Sequence, residues 1–196
     1  MNLNGHHRPT YLADLSDLLH GVEAEALGAS IDVGEAIGLG AEFLEQARLA
    51  AHRVYLVGNG GSAAVASHIA TDAVKNAGLP AMVFTDAALL TCLANDHGYP
   101  AVYARPIEVF GQRGDLLIAI SSSGRSDNIL LAAEAARAKQ MGIITLTGFD
   151  PQNSLRRYSG ALLHFYVPSN VYGYVEITHL ALLHGMIDAA IAKQEG

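Results

Sequence analysis

Apolar residues near the start of the chain recur in alternating steps of three and four, with Leu12, Leu15, Leu19, Val22 and Ala26 on one stripe. That spacing predicts an amphipathic helix from Tyr11 to about Ala26 with a seam for a neighbouring helix. A second helical pattern covers about Asp32 to Ala51. Val33, Ile37, Phe43, Leu44 and Ala47 form its apolar side, and Gly34, Gly38 and Gly40 allow close approach at some loss of helix stability. This N-terminal helical pair, residues 10–51, exceeds what one face of a small sheet requires, which predicts a part in oligomerisation. Beyond it the pattern changes to short apolar runs separated by helical stretches. Val54–Val57, Ala81–Phe84, Asp115–Ile120, Ile143–Leu146 and Ala161–Val167 read as strands. Helices are expected over Ser62–Ala77, Asp86–Ala94, Ala101–Phe110, Asp127–Gln140 and about Val171–Lys193. Alternation of this kind predicts one α/β domain over residues 1–196, with a five-stranded parallel sheet, flavodoxin-like, between layers of helices.

Two loops stand out. Val57 runs into Gly58-Asn59-Gly60-Gly61-Ser62, and Ile120 into Ser121-Ser122-Ser123-Gly124-Arg125-Ser126. Glycines let the backbone take positive φ and approach a ligand, and the first amides of a helix lack intrahelical partners. Such a turn suits an anion. Ser62 falls where an N-cap is expected. Neither Gly-Lys-Ser/Thr nor the GxGxxG spacing is present, so the loop is neither a nucleotide P-loop nor a dinucleotide fingerprint. In strand order 2-1-3-4-5 the first and third strands are neighbours, and both loops meet beyond their carboxyl ends. Two helix N-termini and five serine hydroxyls then share a small volume, for which a phosphate is the natural occupant.

Composition narrows the partners. The net charge is −7 with 12 Lys and Arg in 196 residues. That balance argues against nucleic acid, whose phosphates need clustered cations. Any bound anion is held mainly by dipoles and hydroxyls. Cys92 is the only cysteine, read as a small core residue. No intramolecular disulfide can form, and neither a secretory signal nor an apolar run long enough for a membrane is recognised, so a cytoplasmic location is expected. His6, His7 and Pro9 belong to a loose lead-in with no assigned role.

Chemistry-bearing side chains gather on two helices. His68 and Asp72 are four apart on one helix face, and Glu176, His179 and His184 lie on the last helix. Two imidazoles and two carboxylates suit a tetrahedral zinc site, although a histidine in an Ala/Leu-rich helix is more often packed than ligating.

The succession GNGGS, His68, Asn95-Asp96, SSSGRS, an ITLTG strand and a helix carrying ExxHxxxxH resembles the SIS (sugar isomerase) domain family, over nearly the whole chain. Within it the likeness is to the phosphoheptose isomerases. The resemblance implies a homotetramer acting on a sugar phosphate, sedoheptulose 7-phosphate, with zinc in several members. It implies substrate contacts from Asn59, Gly60, Ser62, Asp96, Ser121, Ser122, Ser123, Ser126 and Glu176. It also implies metal ligation by His68, Asp72, Glu176 and His184, and acid–base catalysis by Asp72 and His184. His179 matches a family histidine outside the ligand set.

Some positions depart from the family pattern. Asp72 stands for the usual Glu, Glu176 for Gln, Asn76 for a basic residue, and Gly173-Tyr174 for a polar, charged segment. Two carboxylates and two neutral imidazoles would neutralise a divalent ion, making it a milder Lewis acid and altering sugar preference. The competing expectations are a non-catalytic SIS binding module, such as those that partner a replication initiator, and an isomerase for another sugar phosphate.

Overall fold

The computed structural model describes residues 10–195. The lead-in histidines His6 and His7 lie outside the described residues. A seven-stranded sheet runs β2-β1-β7-β6-β5-β3-β4. Its parallel part comprises β3 (Val54–Val57), β4 (Ala81–Val83), β5 (Leu116–Ser121), β6 (Gly142–Thr147) and β7 (Leu163–Tyr166). Counted among themselves, these five strands stand in the expected order 2-1-3-4-5.

The two extra strands correct the first helix. Helix α1 is Tyr11–His20, and the chain then forms the hairpin β1 (Glu23–Ala26) and β2 (Ala29–Ile31), with β1 antiparallel to β7. Leu27 and Gly28, at φ 51° and 83°, make the two-residue turn. Positive φ at both central positions matches the right-handed twist of paired strands. Ala24, which the helical stripe would have placed off the seam, is buried in the strand at 2% exposure. The edge of β7 thus supplied hydrogen-bond partners that a solvent-facing helical turn lacked.

Side chains of the central strands alternate between two cores. Leu56, Ile118, Ile120 and Leu146 face α2 (Val33–Leu49), α3 (Gly61–Ala77) and α7 (Tyr172–Glu195). Tyr55, Leu117, Ala119 and Ile143 face α4 (Ala87–His97), α5 (Ala104–Phe110) and α6 (Asp127–Ala138). Both faces are apolar because parallel strands are covered on both sides. A short 3-10 turn, Tyr99–Ala101, precedes α5, so the helix expected from residue 101 starts later.

Helix α7 revises a second expectation. Over Tyr172–Gln194 it is long and apolar enough, by length and composition, to cross a membrane, with mean hydropathy 1.3 and 44% of the window buried. Its apolar side, including Val175, Leu183, Met186 and Ile187, packs in the core beside α2 and α3. Cys92 also differs from its expected place, being exposed on α4, a helix with no buried residue.

Candidate active site

Strands β3 and β5 pair directly, Val57 opposite Ala119, so their carboxyl ends open side by side. At the end of β3 the chain turns through Gly60, at φ 54°, which is the N-cap of α3. Only glycine takes that conformation without strain. Ser62, expected at the cap, is instead the second helical residue and is buried, because the positive-φ turn completes two residues earlier. Its amide donates to the Asn59 carbonyl at 3.0 Å. Tyr103 braces the turn from below, its hydroxyl donating to the Gly58 carbonyl at 2.5 Å. Burial pushes that phenol up to about 12, so it remains a donor.

The serine loop after β5 is ordered by its own hydroxyls and by a neighbouring loop. Ser121 Oγ accepts from the Gly124 amide and lies 3.4 Å from Ser126 Oγ, while Ser123 Oγ accepts from the Arg125 amide. Backbone bonds Gly148 N to Ser122 O and Leu155 N to Gly124 O clamp it to the chain that follows β6. Arg125 pairs with Asp150 on that same chain rather than lining the cavity. Ser122 Oγ is buried with no hydrogen-bond partner. A buried hydroxyl left unpaired is unfavourable by about 1–3 kcal/mol, which a ligand oxygen at that point would relieve.

A cavity of about 250 Å³ joins the two loops. Asn59, Gly60, Ser62, Ser121, Ser122, Ser123, Ser126 and Glu176 all line it, together with Tyr172. Among the described residues no lysine or arginine does. Glu176 reaches it from α7, its carboxylate set so close to Gly61 that a Cβ there would overlap it. The carboxylate therefore sits over the first turn of α3, where the helix dipole favours negative charge.

His68, Asp72 and His184 form a second group, one ligand atom from each lying within 4.8 Å of the others. His68 Nε2 is 3.0 Å from His184 Nε2, and Asp72 Oδ2 is 3.6 Å from His68 Nε2 and 3.5 Å from His184 Nδ1. The two separations from His68 Nε2 are close to the edges of a tetrahedron of nitrogen and oxygen ligands around zinc, while Asp72 approaches the other nitrogen of the His184 ring, which cannot serve the same ion together with Nε2. Glu176 stands apart from this group. Two helical turns separate it from His184, and its carboxylate is held at Gly61 instead.

Asp96, expected near the sugar, does not line the cavity; its carboxylate accepts from Asn95 Nδ2 at 2.8 Å near the end of α4. The same segment contributes Tyr99, whose hydroxyl donates to Asn59 Oδ1 at 3.0 Å. Asn128, buried on α6, exchanges two hydrogen bonds with Asn59 at 2.8 and 2.9 Å. Neither residue was singled out from the sequence. Asn128 follows the serine loop by two residues, but nothing in the spacing says that its amide reaches back to the glycine loop. His179 is fully buried, its Nε2–H donating to the Thr147 carbonyl at 3.1 Å. Burial pushes its imidazole down to about 4, so it is a neutral strut between α7 and β6.

Fold and site define a doubly wound α/β protein with a cavity between a glycine-rich and a serine-rich loop at its topological switch point. The SIS domain family model matches residues 10–148, and the chain belongs to that family. It is 36% identical over 174 residues to the phosphoheptose isomerase of Shewanella denitrificans, covering 84% of this chain and 89% of that one. The Shewanella oneidensis phosphoheptose isomerase is 35% identical over 174 residues, covering 84% of this chain and 88% of that one. Among solved structures, phosphoheptose isomerase from Neisseria gonorrhoeae superposes with a TM-score of 0.80 at 27% identity, covering 93% of this chain and 96% of that one. The Francisella tularensis phosphoheptose isomerase gives 0.75 at 27% identity over 81% and 86%.

Proposed function

We propose that the chain is a phosphoheptose isomerase, interconverting sedoheptulose 7-phosphate and D-glycero-D-manno-heptose 7-phosphate. The observation that carries this reading is the meeting of the two loops in one cavity, with the unpartnered Ser122 hydroxyl inside it and a histidine–carboxylate cluster on the adjoining helices. The likeness to phosphoheptose isomerases supports the choice of sugar.

Charge orients the substrate. Glu176 already occupies the α3 N-terminus and repels a phosphate, whereas the serine loop and the start of α6 offer donors where no carboxylate lines the cavity, the exposed Asp127 of the first α6 turn lying outside its lining. The phosphate therefore sits on the serine loop, with Ser121, Ser122, Ser123 and Ser126 donating. Glu176 accepts from sugar hydroxyls. The cluster lies two turns further along α7 than Glu176 and takes the carbonyl end of the sugar.

Isomerisation breaks the C1–H bond of the ketose, passes through an enediolate, forms a C2–H bond and moves a hydroxyl proton from O1 to O2. No oxidant or reductant enters. Asp72 and His184, 3.5 Å apart, are the groups that hold and return the proton, each stabilising charge on the other. The His68, Asp72 and His184 donors fit zinc, which when bound there supplies Lewis-acid stabilisation of a developing oxyanion. A residue whose lone pair is given to the metal is not free as a base, so ligation and proton transfer are divided between Asp72 and His184 or alternate.

The assembly that goes with this reading is a cytoplasmic homotetramer. Its support is α1, which has no buried residue although Leu12 is 78% and Leu19 37% exposed. A coupled assay of sedoheptulose 7-phosphate conversion in deuterated water tests the activity. Conversion with solvent deuterium entering at C2 is expected, and neither conversion nor exchange would sink the proposal.

A further inference from the structure

A side-chain amide has four hydrogen-bonding positions, two N–H donors and two acceptor lone pairs. Asn59 has three of them filled. Its Nδ2 donates to Asn128 Oδ1 at 2.9 Å, and its Oδ1 accepts both from Asn128 Nδ2 at 2.8 Å and from the Tyr99 hydroxyl at 3.0 Å. The one position these partners leave is an N–H, on a residue that lines the phosphosugar cavity. Neither Asn128 nor Tyr99 lines that cavity.

We propose that Asn128 and Tyr99 are positioning residues, which lock the Asn59 amide with an N–H presented to the substrate and couple the glycine loop to the start of α6. This rests on the phosphosugar reading of the cavity. An amide without these partners turns over freely and shows its oxygen to an oxygen-rich ligand in one of its two orientations, where acceptor meets acceptor. Fixing it beforehand removes that repulsive state and the ordering that binding would otherwise require.

Three separate parts of the chain meet in this contact. Asn59 follows β3, Asn128 is the second residue of α6 immediately after the serine loop, and Tyr99 begins the turn after α4. At 2% exposure Asn128 is screened from water, so its paired amide has no competing solvent partner and the two loops share one rigid link. The two anion-holding loops then keep their spacing whether or not ligand is present. A merely structural Asn128 would stabilise the fold without touching affinity, and a double-mutant cycle separates the two roles.

The experiment measures calorimetric binding of sedoheptulose 7-phosphate to the full chain, which needs no turnover, alongside the melting temperature of each variant. Asn128→Ala and Tyr99→Phe are expected to weaken binding about three- to tenfold, and Asn59→Ala/Asn128→Ala to bind no more weakly than Asn59→Ala alone. Tyr99 is 55% exposed, so Tyr99→Phe folds and decides the matter if Asn128→Ala does not. Losses that multiply in the double variant, or unchanged affinity in the single ones, overturn the proposal. A wild-type chain that binds the sugar phosphate without isomerising it removes the isomerase reading but leaves the cycle a full test. No binding by the wild type overturns both.

Discussion

At the residue scale the site depends on side chains that sequence spacing places on a face without fixing their depth or direction. His184, 35% exposed on its side chain, is expected to lose turnover about 10²–10⁴-fold on replacement by Ala, with a denaturation midpoint equal to that of the chelator-treated wild type. Retained activity removes it from the mechanism. Gly61→Ala puts a methyl group onto the Glu176 carboxylate and forces α7 or the glycine loop to shift. Its kcat/KM is expected to fall about tenfold or more, because small displacements at a reacting site are strongly felt. Partial recovery in Gly61→Ala/Glu176→Ala is the check. The serines, Asn59, His68 and Asp72 were legible because loop position and an i, i+4 step determine where they lie, and His184 because the order of motifs resembles the family's. Glu176 was legible as a cavity residue, while its position at Gly61, apart from the three-residue cluster, was not, since helical spacing gives a face but not the pull of the α3 N-terminus. Asn128 and Tyr99 were not legible, because they act across the fold at long sequence separation.

Among the elements, the parallel strands were readable as short, largely apolar runs, and their order was the one common to five-stranded sheets of this kind, from which the meeting of the two loops followed. The hairpin was not. Its alternation of Glu and Ala is compatible with a helical stripe, and only pairing with β7 decides between them. Leu27 holds the turn at φ 51° while 79% exposed, a conformation that branched apolar side chains disfavour. Leu27→Asn creates an Asn-Gly turn and is expected to stabilise the chain by about 1 kcal/mol, raising the melting temperature by about 2–4 °C. Helix α7 carries a second prediction through His179. Its folded pKa of about 4 lies below the ordinary value of 6.5 for an unfolded histidine. Stability from keeping it neutral is therefore complete above pH 6.5 and is lost as pH falls towards 4. Between pH 7.5 and pH 5 the loss amounts to about 2 kcal/mol. His179→Gln, which can still donate to the Thr147 carbonyl, should lose correspondingly less over that interval in urea titrations. Equal losses in the two proteins would show that other groups dominate acid unfolding.

For the whole molecule, the cluster joins two helices that the chain reaches at opposite ends, α3 with His68 and Asp72 and α7 with His184. A zinc ion held there cross-links them and stabilises the folded state by mass action. At a free concentration of about 100 times the dissociation constant the gain is about 2.7 kcal/mol, or roughly 5–10 °C in melting temperature for a chain of this size. Elemental analysis of protein purified without chelator should give about one zinc per chain, with chelation lowering the melting temperature by that interval. His68→Ala should carry none and melt alike with and without chelator. Glu176→Gln distinguishes the three-residue cluster from a four-ligand set. With the carboxylate held at Gly61, the variant should keep its zinc, and the bound ion then has one carboxylate rather than two. A single carboxylate with two neutral imidazoles leaves a divalent centre at a net charge of about +1, a stronger Lewis acid than the neutral centre that four ligands would make. Loss of zinc from Glu176→Gln would instead show that Glu176 swings from the α3 N-terminus to the metal when the ion binds.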